Sequence, residues 1–331
     1  MPRKKPHPST PPPSSPTLVH SIPPTLSTLS SYLAFIKSVP ASRTAIYRMV
    51  IIREKSYISG ATFTLCFDPP PQSHAPPAPS SFRVLARRKR LPKAYLISLD
   101  KDDLRTDARE DRSKYYLGKI KIKSGDEYVQ HDRGINPNRL LDVDIDEGTD
   151  EEEKEQTAEE KEADQHMDEL LAPRHELSSV YISTNDNLDR VINVSIPTVT
   201  GTGEEATCHV FNGTTRNDKI THNARQLVER GSRNDLMKDQ IYILSGHENP
   251  SLCAGTSDYY GRRILDSEKN FLVSYTLGGD PPPLASPPPT TPDPSSATLQ
   301  MNRIRKNTWA VQFTYPMTPL QAFGVCLTRF E

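Results

Sequence analysis

The end of the chain sets the strongest condition on everything before it. Thr318 is a good N-cap, Pro319 suits the first helical position, and the helix that these predict over Leu320–Phe330 carries Leu320, Ala322, Phe323, Val325, Cys326, Leu327 and Phe330. A helix that is apolar nearly all round has to be enclosed by protein. The chain ahead of it reads as strands. Alternating or β-branched segments recur over 46–53, 61–67, 82–88, 94–100 and 115–122, and again over 176–183, 191–197, 207–211, 240–244, 271–277, 299–304 and 308–315. Roughly a dozen short strands with turn-rich connections is the count of a barrel or a sandwich. An isolated apolar helix at the end of such a series suggests one threaded through a barrel. The alternative, a helix laid across a sandwich face, leaves Gln321, Thr328 and Arg329 alone to meet water.

Not all of the chain can join that core. Of 31 prolines, 24 fall in three windows: 10 in residues 1–40, 6 in 69–80 and 8 in 281–294. Proline fixes φ and has no N–H, so these windows suit tails and long loops, not central strands. Charge is segregated as well. Residues 142–169 hold 15 acids against Lys154 and Lys161, a net of −13 within a chain whose total is −1, so everything else sums to +12. The expected organisation is a disordered tail over 1–34 and one domain over 35–331, with inserted loops at 69–80, 142–170 (acidic) and 281–297 (Pro-rich). Leu26, Leu29, Leu33 and Ile36 have helical spacing and read as a short segment at the domain edge.

Chemistry of a catalytic kind has little to stand on. No H-E-x-x-H, Walker A or G-x-S-x-G pattern occurs, and Cys66, Cys208, Cys253 and Cys326 are too far apart for a C-x-x-C pair. An enzyme, a metal site and a cofactor are therefore not expected. The N-terminal stretch is charged but lacks an apolar h-region, and no run approaches 18 apolar residues, so the reading is of a cytoplasmic protein.

The positive excess is better placed to do something. On the strand through Tyr115–Lys123, alternation puts Lys119, Lys121 and Lys123 on one face and Tyr116, Ile120 and Ile122 on the other. Same-face neighbours are about 7 Å apart, a spacing at which Lys119 and Lys121 can reach two phosphates of one headgroup. From this strand alone a solvated charged face is the better reading. Arg87, Arg88, Lys89 and Arg90 form the densest basic run, and Arg53 shares a strand face with Lys55. Arg53, Lys55, Arg88, Arg90 and Lys123 are candidates for an auxiliary basic surface, each contributing about 1 kcal/mol near an anionic leaflet.

The blocks YLISLDKDDL (95–104), YYLGKIKIKSG (115–125), GINPN (134–138), RHELSSVYISTN (174–185), GRRILDSEKNF (261–271) and YPMTPLQAFGVCLTRF (315–330), in this order, resemble the signature segments of the tubby C-terminal domain. The resemblance covers about 35–331. It implies a mainly β fold, a closed twelve-stranded antiparallel β-barrel around a buried hydrophobic C-terminal helix. It also implies a phosphoinositide site, with Lys119 and Lys121 matching the family's G-K-x-R motif and Arg174 opening its R-x-E-L motif. Two positions depart from that pattern. Lys121 stands where the family has Arg, a compact point charge in place of a planar fork, and Ala94 stands where the family has a contributing Asn. The function that the resemblance implies is a phosphoinositide-binding peripheral membrane adaptor. Such an adaptor recognises phosphatidylinositol 4,5-bisphosphate at the plasma or ciliary membrane, or acts in the nucleus after release, and serves membrane-protein trafficking or signalling. Its partners would be lipid headgroups of the cytoplasmic leaflet, transport machinery and membrane-protein cargo, with the chain a monomer. The alternative is a nucleic-acid-binding or transcription-regulating protein that uses the +12 body against phosphates.

Overall fold

The computed structural model describes residues 26, 28–40, 42–43, 45–56, 60–68, 82–90, 93–105, 113–124, 126–134, 172–184, 190–202, 206–212, 215, 219–230, 240–248, 262–277 and 297–331. The expected loops at 69–80 and 142–170, nearly all of 281–297 and most of the 1–34 tail lie outside the described residues.

The strands in chain order are β1 (Ile46–Ser56), β2 (Gly60–Phe67), β3 (Arg83–Lys89), β4 (Ala94–Ser98), β5 (Tyr116–Ser124), β6 (Glu127–His131), β7 (Glu176–Thr184), β8 (Arg190–Pro197), β9 (Val199–Thr200), β10 (Thr207–Cys208), β11 (Ile241–His247), β12 (Phe271–Leu277), β13 (Leu299–Arg305) and β14 (Thr308–Thr314). All but β9 and β10 join one closed antiparallel barrel of twelve strands. β1 closes it, pairing with β2 on one side and with β14 on the other, from Ile46 opposite Thr314 to Ile52 opposite Thr308. Closure leaves no sheet edge in the ring. Among the described residues three α-helices accompany the strands: α1 (Leu29–Lys37), α2 (Ile220–Arg230) and α3 (Pro319–Leu327).

α3 is the filling of the barrel, and every one of its residues is buried. Thr318 and Gln321 form a reciprocal capping box, and Gln321 Nε2 donates to the Leu177 carbonyl at 2.9 Å. The polar groups that would have met water on a sandwich face find partners inside, except that Arg329 Nε is buried without one. Thr328 Oγ1 donates to the Val325 carbonyl, and the Arg329 guanidinium donates to the Glu268 carbonyl and pairs with Glu248. Each Leu, Val or Phe withdrawn from water here stabilises by about 1.5–3 kcal/mol. Gln130 of β6 points inward and donates from Nε2 to the Leu320 carbonyl at 2.8 Å, holding the first turn of the helix. Gly324 makes room for that amide, since a β-carbon there would lie 2.2 Å from Gln130 Oε1.

The strand readings need two corrections. β6 was not expected, because its inward residue Gln130 is polar and the alternation that marks a strand is broken where the helix needs a donor. The 207–211 segment supplies only β10, which pairs with β9 outside the barrel. Phe211 beyond it covers the barrel's outer face with Ile220, Ile241 and Ile243.

The helix near the start of the domain is more than an edge. α1 opens with a Thr28–Ser31 capping box and buries Leu33, Phe35 and Ile36 in the same core cluster as α3. The Phe35 ring packs against Tyr47, Phe67 and Phe82 at centroid distances of 5.3–5.6 Å. The packed chain therefore begins ahead of residue 35.

Candidate functional site

The geometry of β5 starts from Gly118. Its φ is 149°, and a β-carbon there would lie 2.1 Å from the His131 carbonyl oxygen, so no other residue fits. The β4–β5 register slips at the same place: Gly118 faces Ile97, Tyr116 faces Ser98, and Leu117 is the extra residue of a bulge. The bulge moves Leu117 into the barrel core beside Ile120, and it turns Tyr116 outward into a cluster with Leu96 and Leu104. Tyr116 thus leaves the face of Ile120 and Ile122 on which simple alternation had placed it. Beyond the bulge alternation holds. Lys119 faces His131 and Lys121 faces Val129 and Ala94 across the ladder, on the outer wall, while Ile120 points into the core.

Arg174 reaches the same wall from the other side of the 135–171 stretch. Asp132 makes the connection: its Oδ1 accepts the His175 N–H at 2.9 Å and the Gly134 N–H at 3.1 Å, and its Oδ2 lies 3.0 Å from His175 Nδ1. The Asp132 N–H in turn donates to the His175 carbonyl. Gly134 allows the two chain segments to close, because a β-carbon there would stand 2.7 Å from Arg174 Cα.

The result is a cluster of like charges. The Lys121 ammonium is held below its ordinary pKa, first by burial and then by Arg174, Lys119 and Lys123, with Glu176 acting in the opposite sense. His131, 7% exposed, sits among the same groups. Burial, followed by Arg174, Lys121, Lys119 and Lys123, pushes its imidazole down to about 2, so it stays neutral. Arg174 is also only 7% exposed, and its Nε is buried without a hydrogen-bond partner. Lys123, at the exposed end, pairs with Glu127 at 3.2 Å. Glu176 is committed elsewhere: its Oε2 accepts the Ile220 N–H at 2.8 Å at the start of α2, and burial raises its carboxyl pKa. A group of cations held this close on one wall raises the local positive potential there.

The structure puts Arg53, Arg88 and Arg90 elsewhere. Arg53 faces Phe63 across β1–β2 and Arg88 faces Tyr95 across β3–β4, and both of those rings belong to the barrel core. These arginines therefore point to the inner side of the sheet, opposite to Lys119 and Lys121. With Arg90 they line a cavity of about 180 Å³ at one mouth of the barrel, completed by Gly60, Ala61, Phe63, Tyr95 and Phe330. Lys55, on β1 with Arg53, faces Ala61 of β2 and is exposed, outside that lining. α2 is a helix that the sequence reading missed; the spacing of Ile220 and Ala224, which pack on the outer face of the barrel, was its available signal. Among the described residues no group of three or more His, Cys, Asp or Glu side chains is arranged to hold a metal, and no helix is long and apolar enough to cross a membrane.

The Tub family model matches residues 37–331. The chain is similar to Tubby protein homolog 1 of Caenorhabditis elegans, 24% identical over 313 residues that make up 92% of this chain and 61% of the relative. It is also similar to Tubby-related protein 2 of Mus musculus, 24% identical over 257 residues, 76% of this chain and 36% of the relative. A shorter match, 31% identical over 77 residues, joins 22% of the chain to 17% of Tubby-like F-box protein 3 of Oryza sativa subsp. japonica. The chain thus spans less than two thirds of the length of each of these relatives.

Proposed function

Because the chain belongs to the Tub family, we propose that it is a phosphoinositide-binding peripheral adaptor that recognises phosphatidylinositol 4,5-bisphosphate through Lys119, Lys121 and Arg174. Family membership points to phosphoinositide binding and to trafficking or signalling in general terms. The finer reading is membrane-protein or ciliary trafficking from the cytoplasmic leaflet. The observation that carries the lipid reading is the placement of Lys119, Lys121 and Lys123 along the outer wall of β5, with Arg174 near enough to help hold the Lys121 ammonium below its ordinary pKa. Three of these lie on one strand, and the fourth arrives from beyond residue 171.

Vesicles of graded phosphoinositide content at one ionic strength, challenged with a soluble inositol phosphate, test the reading. Exchanging Lys119 and Lys121 together for Ala is the clean variant, because both side chains are only partly buried, whereas Arg174 is nearly enclosed. Loss of two charge-assisted contacts should weaken bisphosphate vesicle binding by more than about tenfold with the fold intact. Vesicle binding equal to the parent's overturns the site. A DNA complex that outlasts the inositol phosphate turns the assignment to nucleic acid.

A further inference from the structure

The cavity at the barrel mouth is not part of the outer wall, and its chemistry is not that of a structural void. Three guanidinium groups converge on it: Arg53 from β1 and Arg88 and Arg90 from the end of β3. Only one of them is neutralised. Arg88 makes a bidentate contact with the Glu331 carboxylate, Nε to Oε1 at 2.7 Å and Nη2 to Oε2 at 2.6 Å. Arg53 and Arg90 have no carboxylate against them among the described residues, and Arg53 Nε is buried with no acceptor. Arg53 is also held in place from behind. Its guanidinium carbon lies 5.7 Å from the Phe63 ring centroid and 5.8 Å from that of Phe330. Contact with ring faces steadies a guanidinium while leaving its N–H edges free to donate. A partly buried cation without an anion is costly, and an oxyanion placed there removes the cost.

We propose that this cavity binds a phosphate monoester, with the dianionic head between Arg53 and Arg90 and the organic part along Gly60 and Ala61 toward the opening. Charge and size choose this class. Two guanidinium charges, those of Arg53 and Arg90, remain once the Glu331 side-chain carboxylate is set against Arg88, which a dianion matches and a monoanion only halves. At about 180 Å³ the cavity is smaller than the roughly 300 Å³ at which pockets begin to take drug-sized ligands, so the ester has to be compact. Arg88 already shows the mode of recognition, a planar fork closed on two oxygens. The Glu331 carboxylate is the internal competitor, tied to the one arginine that the ligand would otherwise share. The site is separate from the β5 lysines, which face outward from the other side of the sheet.

The chain contains a single tryptophan, Trp309, whose ring meets Phe330 edge-on at 4.8 Å, so its fluorescence reports directly on the cavity wall. The test is a fluorescence titration of the full chain with phenyl phosphate and with inorganic phosphate at constant ionic strength. Saturable binding is expected, tighter for phenyl phosphate. Arg90→Gln should weaken it by about tenfold, the worth of a lost charge-assisted contact, and Arg53→Gln likewise. Arg90 is exposed and its replacement leaves the core alone, so it decides the matter if Arg53→Gln folds poorly. Glu331→Gln should tighten binding, and the Lys119 and Lys121 double Ala variant should leave it unchanged. Absence of saturation, equal affinity in Arg90→Gln, or loss in the lysine variant overturns the proposal. Vesicles containing phosphoinositide then separate the sources of the ester. If the ligand is a lipid headgroup, Arg90→Gln lowers vesicle binding. If it is a soluble metabolite, vesicle binding is unaffected by that variant and by added phenyl phosphate.

Discussion

Lys121 and Ala94 face each other across the β4–β5 ladder, so the two departures from the family pattern meet at one spot. A prediction follows from the donors they lack. Lys121→Arg should maintain or strengthen bisphosphate vesicle binding by supplying a bidentate fork, and Ala94→Asn should add an amide beside it. Weaker binding by Lys121→Arg would show that the site is built around an ammonium. His131 gives a second test, on stability. The native imidazole takes up a proton only at about pH 2, whereas an unfolded one does so near its ordinary value of 6.5. Between those values the unfolded chain binds more protons, so stability falls as the pH falls through that window. Urea midpoints should show a loss of up to about 2 kcal/mol from this residue between pH 6.5 and 5, and His131→Gln should flatten that slope. Parallel slopes for the two chains would mean that the imidazole is protonated in the fold.

At the scale of elements, α3 is the central support of the twelve strands, with α1 packed into the same core. Deleting 319–331 removes Leu320, Phe323, Val325, Leu327 and Phe330 from the core at once, and each such loss costs about 2–5 kcal/mol, together more than a domain's whole stability. The shortened chain should show no cooperative thermal transition; a monomer that still melts cooperatively would refute the enclosed-helix account. α1 belongs to the same core, and Phe35→Ala should cost about 3–5 kcal/mol in a urea titration, against under about 0.5 kcal/mol if the helix were only an edge. α3 was legible in the sequence because being apolar on every side is a local property. α1 was half legible: its spacing showed, but whether Leu33 and Ile36 face a partner or water depends on strands far along the chain. β6 was illegible because Gln130 is inward for the sake of the Leu320 carbonyl, a partner nearly two hundred residues away.

For the molecule as a whole, charge separation along the chain is the governing feature. The −13 stretch at 142–169 lies outside the described residues, and it leads within a few residues to Arg174. The hypothesis that follows from its charge is that it competes with lipid phosphates for the β5 cations. Removing it should raise affinity for bisphosphate vesicles at low salt, and the gain should fade as the screening length falls to about 8 Å near physiological ionic strength. Equal affinity with and without the stretch at low salt would end the idea of competition.

What the sequence by itself determined was whatever rests on neighbours: the period-2 segments, the all-apolar helix, the alternation that aligns Lys119, Lys121 and Lys123, and the motif order shared with the family. What only the tertiary structure decided was which side of a sheet each cation faces and which distant cations meet. Arg53, Arg88 and Arg90 looked like an extension of the lysine surface, yet register against Phe63 and Tyr95 turns them to the barrel mouth. Arg174 looked remote, yet Asp132 and Gly134 clamp its segment against β6 and bring it to Lys121. Alternation assigns residues of one strand to two faces, but which face becomes the inside is settled only when the ring closes, and a single bulge at Leu117 is enough to exchange them.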